Sequence, residues 1–341
     1  MKKIYLELTS RCNLSCDMCY RNTWDNVAGD MDEKLLEKLK EEIPAGTDIV
    51  FAGIGEPTIA RHFRRAVELF SDHPLEITTN GVIDKKTLPF VLKHFRRMII
   101  SVDATGDAYY HLRKTDFQKV KETLEAVRRF KKEEETKYPF IDFALVLSRS
   151  NKEKIYDVID TAAEYGIDRI LVSHLLPQEK AQAEDIFYTE SKNEEGRVFK
   201  DKVNIYAYFR KRIVMSFPHM EIKTERLCPF VENDQVYIDR FGDVVPCYRF
   251  ANTYKEIVFG REKTVLKHPF GNINDMSLQE IYDKKDYRRF REAVKNARHP
   301  SCVDCDFRHG CSYIEDTEYD CSGYSPSCAD CLWNRQIIRC T

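Results

Sequence analysis

The chain has 341 residues, 43 % hydrophobic and 32 % charged, with 54 Lys plus Arg against 56 Asp plus Glu and a formal charge of -2. That length buries one large core or two unequal ones without disulfide support, and the even charge balance excludes a general polyanion or nucleic-acid binder. No apolar run reaches the ~20 residues of a membrane span, and the start, Met1-Lys-Lys-Ile-Tyr-Leu-Glu-Leu, lacks a signal-peptide apolar region, so a cytoplasmic protein without a membrane partner is expected.

From residue 3 to about 175, short β-rich runs alternate with charged amphipathic stretches. Strands are expected at Lys3–Thr9, Asp48–Ala52, Glu76–Thr79, Met98–Val102, Phe143–Leu147 and Arg169–Ser173. Between the first two, Met31, Leu35, Leu39 and Ile43 fall four apart on one helical face. Further helical patterns cover Ala60–Phe70, Lys85–His94, Asp116–Glu135 and Lys152–Tyr165. Six such alternations argue for a parallel sheet covered by helices, either an incomplete barrel or a doubly wound sheet. In barrels, chemistry gathers at the C-terminal ends of the strands.

Residues 179–227 lack strand alternation and read as a helical bridge between a first unit, 1–178, and a last one, 228–341. In the last unit, Gln235-Val-Tyr-Ile-Asp and Val244-Val-Pro-Cys247 read as a hairpin turning at Gly242. A helix is expected over Ser277–Ala297. From Cys302 to Thr341 aliphatic residues are few, so metal must substitute for core.

The twelve cysteines are placed unevenly. Cys12, Cys16 and Cys19 lie in one short loop after the first strand, none occurs from Tyr20 to Leu227, and the rest follow from Cys228 onward. A reducing cytosol favours metal over disulfide for such clusters. The first spacing, three residues then two, lets three thiolates converge on one cuboidal iron–sulfur cluster. Because a [4Fe–4S] cluster usually takes four cysteines, one iron keeps open positions for a ligand. A structural zinc site would want a fourth Cys or His nearby, and none follows until His62.

The CxxxCxxC loop resembles the signature of radical S-adenosylmethionine (radical SAM) enzymes. The resemblance implies a partial (β/α)6 TIM-like barrel in which the open iron is chelated by the amino and carboxylate groups of S-adenosylmethionine. It also implies reductive cleavage to a 5′-deoxyadenosyl radical that abstracts a substrate hydrogen. Met18 departs from the aromatic residue usual beside the adenine, but its thioether still packs on a purine face. Gly53-Ile-Gly55-Glu56-Pro57 is similar to the family's GGEP-type motif, where glycine backbone meets the methionine amino group. Asn80, after the third strand, and Ser101 and Asp103, after the fourth, resemble segments that contact the ribose or carboxylate. Arg113 stands where related members carry an arginine for that carboxylate.

The later cysteines resemble a SPASM domain, a small C-terminal module with auxiliary iron–sulfur clusters. The halves that match are Cys228-x13-Gly242-x4-Cys247 and Cys302-x2-Cys305-x5-Cys311. The family's next cysteine comes three residues later, whereas here nine separate Cys311 from Cys321. Two auxiliary clusters, [4Fe–4S] in type, need eight cysteines, which leaves Cys340 as the spare. One grouping is Cys302, Cys305, Cys311 and Cys331, with Cys228, Cys247, Cys321 and Cys328 for the other. A pair of zinc ribbons is the competing arrangement.

SPASM-bearing enzymes generally modify peptides or proteins, and some mature cofactors. Tyr248 stands where sulfatase-maturing members carry an Asp base, which argues against that reaction. The start Lys3-Ile-Tyr-Leu-Glu-Leu-Thr-Ser-Arg-Cys-Asn-Leu, the Gly53–Thr58 segment and the tail from Pro326 resemble a subgroup associated with maturation of tungsten-containing oxidoreductases. The expectation is a radical SAM enzyme acting on a peptide, protein or cofactor precursor, with an electron donor such as ferredoxin or flavodoxin. A ribosomal-peptide-modifying enzyme and a non-catalytic iron–sulfur or zinc scaffold are the alternatives. With the first strand beginning at residue 3, peptide recognition is expected in trans or at the barrel mouth.

Overall fold

Alternation along the first strand sets the architecture: Ile4, Leu6 and Leu8 enter the main core beneath the helices, while Tyr5 and Glu7 face the other side of the sheet. The computed structural model describes residues 1–24 and 27–339. Its strands are β1 (Lys3–Leu6), β2 (Asp48–Phe51), β3 (Leu75–Thr79), β4 (Arg97–Ser101), β5 (Phe140–Leu147), β6 (Arg169–His174) and β7 (Val214–Ser216). They continue with β8 (Gln235–Ile238), β9 (Asp243–Val245), β10 (Tyr254–Val258), β11 (Arg261–Val265) and β12 (Gly271–Asn272). All but β10 and β11 form one ten-stranded sheet in the order β12-β9-β8-β1-β2-β3-β4-β5-β6-β7.

From β8 to β7 every neighbouring pair is parallel. The sheet is therefore the TIM-like parallel layer expected, lengthened at both ends. The expected hairpin forms, β8 against β9, with Gly242 at φ 87° in its turn. It is not a separate layer, because β8 runs parallel to β1 with Ile4 opposite Val236. The 179–227 segment holds helices Lys180–Glu184 and Glu194–Lys211 but also β7, a strand the sequence reading lacked. Three residues are too few for an alternation pattern to register.

The helix Glu33–Glu42 starts at Asp32, whose carboxylate accepts from Lys34 N, and buries Met31, Leu35, Leu39 and Ile43 as the spacing requires. The expected helix over Ser277–Ala297 is two, Leu278–Asp283 and Lys285–Lys295, because Lys284 takes an extended ψ of 140°. Ser277 and Glu280 close a reciprocal capping box at its start. The helix Gly106–Arg113 was not expected. Its eight residues follow β4 and carry Arg113 at the C-terminal end of the sheet. No helix among the described residues is long and apolar enough to cross a membrane.

Candidate active site

The cysteine loop leaves β1 and is pinned from several sides. Ser10 N donates to Gly29 O, Asp17 N to Leu112 O at 3.0 Å, and Arg21 Nη2 to Leu14 O at 2.7 Å. Asn22 Nδ2 donates to Cys16 O, holding the 3₁₀ turn Tyr20–Asn22 against the loop. Cys12, Cys16 and Cys19 are each half-buried. Burial pushes the Cys16 thiol up to about 11, Arg113 opposes this, and the charges of Cys19 and Cys12 add to it. The three thiols thus share one electrostatic neighbourhood. Among the described residues no three Cys, His, Asp or Glu side chains converge on the position of a single metal ion. A cuboidal cluster instead takes each thiolate at a different iron.

The other candidate residues divide by surroundings. Gly53 takes φ 153°, and a Cβ there would fall 2.7 Å from Glu7 Cγ. A Cβ on Gly55 would overlap the carbonyl oxygens of Thr9 and Arg11, so a bare backbone is required for the strand-two turn to lie on the cysteine loop. Glu56 is wholly committed inside the protein: Oε1 accepts from Thr58 Oγ1 at 2.8 Å and Thr79 Oγ1 at 2.9 Å, and Oε2 from Asn80 N at 2.8 Å. Asn80 Nδ2 donates to Asn13 Oδ1 at 2.7 Å and lies 3.7 Å from Cys12 Sγ. Ser101 and Arg113 line a cavity together with Gly53; Asp103 stands behind Arg113, fully buried, accepting from its Nε at 2.6 Å and from Val146 N at 2.8 Å.

That cavity, about 270 Å³, opens over the C-terminal ends of the barrel strands. Cys16, Met18 and Cys19 form one wall. Tyr237, Tyr248, Arg249, Tyr254, Trp333 and Arg339, from the last third of the chain, form another. Thr78 and Trp24 also line it, and Thr78 Oγ1 and Trp24 Nε1 are buried without a hydrogen-bond partner among the described residues. Orphaned polar atoms beside two thiols, an arginine and a methionine fit a polar nucleoside–amino-acid cofactor.

Two contributors escaped the sequence reading. Glu7 is fully buried on the cavity side of β1; burial holds its carboxyl up at about 7, against a hydrogen bond from Tyr237 that lowers it. A charged residue in an alternating strand was a usable signal. The aromatic wall was not legible, because Tyr20 stacks on Trp24 and Trp24 on Tyr254 across 230 residues of sequence.

The later cysteines gather in two sets. Cys228, Cys247, Cys328 and Cys331 line a second, smaller cavity of about 20 Å³ with Phe230 and Phe290. Burial pushes the Cys228 thiol up to about 12, and Cys331 adds to that. A hydrogen bond from Cys328, with the nearby Arg249 charge, holds Cys331 down at about 7. Cys302 is pushed up to about 12 by burial and Asp330, with Cys321 and Cys305 also near it. Cys331 and Cys321 therefore exchange places relative to the expected grouping, because the Cys328-x2-Cys331 knuckle stays whole, both of its thiols lining the same cavity. Cys311 follows Cys305 through a turn, its N donating to Arg308 O. The spare, Cys340, lies outside the described residues. Buried Arg249 bonds Asp330, and Lys263 pairs with the same carboxylate at 3.1 Å, between the two sets.

A model of the radical SAM superfamily matches residues 6–162, and a model of an iron–sulfur cluster-binding domain, SPASM, matches residues 228–306. The tungsten-containing aldehyde ferredoxin oxidoreductase cofactor-modifying protein of Pyrococcus furiosus is 36 % identical over 355 aligned positions, spanning 100 % of this chain and 97 % of the relative. The structure of Streptococcus suis SuiB bound to S-adenosylmethionine shares the fold at a TM-score of 0.60, with 16 % identity, over 89 % of this chain and 70 % of that one. So does anSMEcpe with bound AdoMet and the Cp18Cys peptide, at 0.63 and 18 % identity, over 89 % of this chain and 86 % of the other. With both domain models matched and a relative aligned from end to end, the chain belongs to the radical SAM superfamily and carries a SPASM iron–sulfur domain.

Proposed function

We propose that this enzyme uses S-adenosylmethionine radical chemistry to modify the cofactor of a tungsten-containing oxidoreductase, or a precursor of it. What carries the reading is the cavity shared by Cys16, Cys19 and Arg113 on one side and the SPASM-side aromatics on the other. The full-length likeness to a cofactor-modifying protein supports the substrate class. A peptide or protein substrate is the second reading, supported by the fold shared with anSMEcpe, whose structure holds AdoMet and the Cp18Cys peptide.

In this reading Cys12, Cys16 and Cys19 hold the cluster and leave one iron open. A [4Fe–4S] cluster held there with S-adenosylmethionine would supply radical chemistry for hydrogen abstraction. Arg113, oriented by Asp103, receives the cofactor's carboxylate. Ser101, Thr78 and the Gly53 backbone offer polar contacts, and Met18 packs on the adenine. Glu56 and Asn80 act one layer back, fixing the β2 and β3 ends and the loop at Cys12. The aromatic wall would exclude water from the cavity. Eight of the nine later cysteines, all but Cys340, hold auxiliary clusters, and a low-potential donor of the ferredoxin or flavodoxin class supplies electrons in a reducing compartment.

The test is anaerobic reconstitution, reduction with dithionite, addition of S-adenosylmethionine and detection of 5′-deoxyadenosine. Cys12, Cys16 and Cys19 all changed to Ala should abolish the product while the C-terminal iron remains. Unchanged cleavage, or loss of all iron, would overturn the assignment.

A further inference from the structure

Three arginines line the main cavity, Arg113, Arg249 and Arg339, and none of its lining side chains is an aspartate or glutamate among the described residues. Their charges are not equivalent. Arg113 is matched by Asp103, and Arg249 by Glu256 and Asp330. Arg339 has no carboxylate within ion-pair distance among the described residues. Its backbone N donates to Ser173 Oγ at 3.0 Å and its Nη1 to Ser216 Oγ at 2.5 Å, both neutral, while its Nε is buried with no partner among the described residues. Burial lowers its pKa, and no anion among the described residues offsets that cost.

A guanidinium partly removed from water without a counter-charge is costly unless a ligand supplies the anion. Ser173 on β6 and Ser216 on the edge strand β7 fix its position, in the cavity that Cys16 and Cys19 also line. Trp333, six residues earlier on the same tail, and Trp24 add flat apolar surface to the same cavity.

We propose that Arg339 is a substrate-recognition residue, and that the substrate carries an oxyanion, phosphate or carboxylate, which this guanidinium receives while the substrate's apolar part lies against the tryptophans. The proposal rests on the enzymatic reading above for the word substrate, but the anion site itself is testable without turnover.

The full-length, cluster-loaded protein is titrated calorimetrically with inorganic phosphate, with succinate and with glycerol as a neutral control. Saturable binding of phosphate or succinate, but not glycerol, is expected. Arg339→Gln should weaken it at least about tenfold, the loss of one charge-assisted contact, and Arg339→Lys less so. Preference for phosphate over succinate, or the reverse, identifies which anion the substrate bears. Should Arg339→Gln fail to fold, the wild type is treated with phenylglyoxal and mapped by mass spectrometry. Modification of Arg339 should slow in the bound anion and not in glycerol. Equal anion affinity in wild type and Arg339→Gln, no anion binding by the wild type, or no protection of Arg339 would each overturn the proposal. Wild type that forms 5′-deoxyadenosine without Arg339-dependent anion binding overturns this inference alone. Anion binding without cleavage overturns the enzymatic reading alone.

Discussion

Arg113 Nε donates to Asp103 Oδ2 at 2.6 Å, and that carboxylate, fully buried, also accepts from Val146 N on the neighbouring strand β5. The pair couples the C-terminal end of β4 to the cavity wall, so the guanidinium that faces Cys16 is held by the sheet and not by its own flexible side chain. Asp103→Asn leaves this buried charge unmatched. It should cost about 3 kcal/mol of stability and weaken S-adenosylmethionine affinity roughly tenfold. Denaturant unfolding and a binding titration measure the two. Wild-type affinity in the variant would show that Arg113 needs no orienting partner.

Gly55 meets the cysteine loop backbone directly. In Gly55→Ala the new Cβ overlaps the Thr9 and Arg11 carbonyls, and neither is the end of a flexible side chain. The loop must shift, at a cost of about 1–3 kcal/mol. Iron bound at the N-terminal site should fall while the C-terminal clusters stay loaded. Mössbauer spectra of the variant beside the triple-alanine protein would show this; full N-terminal occupancy would mean the loop yields easily.

Glu7 sets a pH dependence of stability. Its folded-state pKa, about 7, lies above the ordinary 4.5 because burial disfavours the charged form. Between those values the native state keeps a proton that the unfolded chain has released. Stability therefore falls as pH rises through this window, by about 3 kcal/mol in total, and the loss is complete above it. Glu7→Gln, which cannot ionise, should lose this part of the pH dependence. Urea unfolding at pH 5 and pH 8 compares the two; parallel changes in both proteins would count against a neutral Glu7.

The two cysteine sets predict which losses overlap. Cys228→Ala and Cys331→Ala should each remove the same auxiliary cluster, so the double variant should lose no more iron than either alone. Cys302→Ala combined with Cys331→Ala should lose both auxiliary clusters. Iron analysis with electron paramagnetic resonance of the reduced proteins decides this. Overlap of Cys331 with Cys302 instead would restore the grouping that chain order suggests.

Much of this molecule is legible along the chain. The face Met31-Leu35-Leu39-Ile43 is a local property of a helix, and it is buried as its spacing requires. The six strands β1 to β6 are runs whose side chains meet the core within a few residues, so their positions also come from local pattern. Strand β7 and the hairpin β10–β11 carry no such pattern: β7 is three residues long, and β11, Arg-Glu-Lys-Thr-Val, is charged along most of its length. Lys263 is nevertheless buried there, because Asp330 from the distant tail receives it.

The chemistry divides in the same way. Three cysteines within eight residues must stand near one another whatever the fold, so a shared site was implied by chain connectivity alone. Nothing local places Cys331 beside Cys228 and Cys247, sets β8 alongside β1, buries Glu7 against Tyr237, or brings Arg339 to Ser173 and Ser216. Each of these depends on which distant segments share a desolvated space. Sequence spacing determines what short loops and single helices can do; long-range parallel pairing and burial determine which cysteines meet, which carboxyl has its pKa raised, and which arginine faces the cavity with no counter-charge among the described residues.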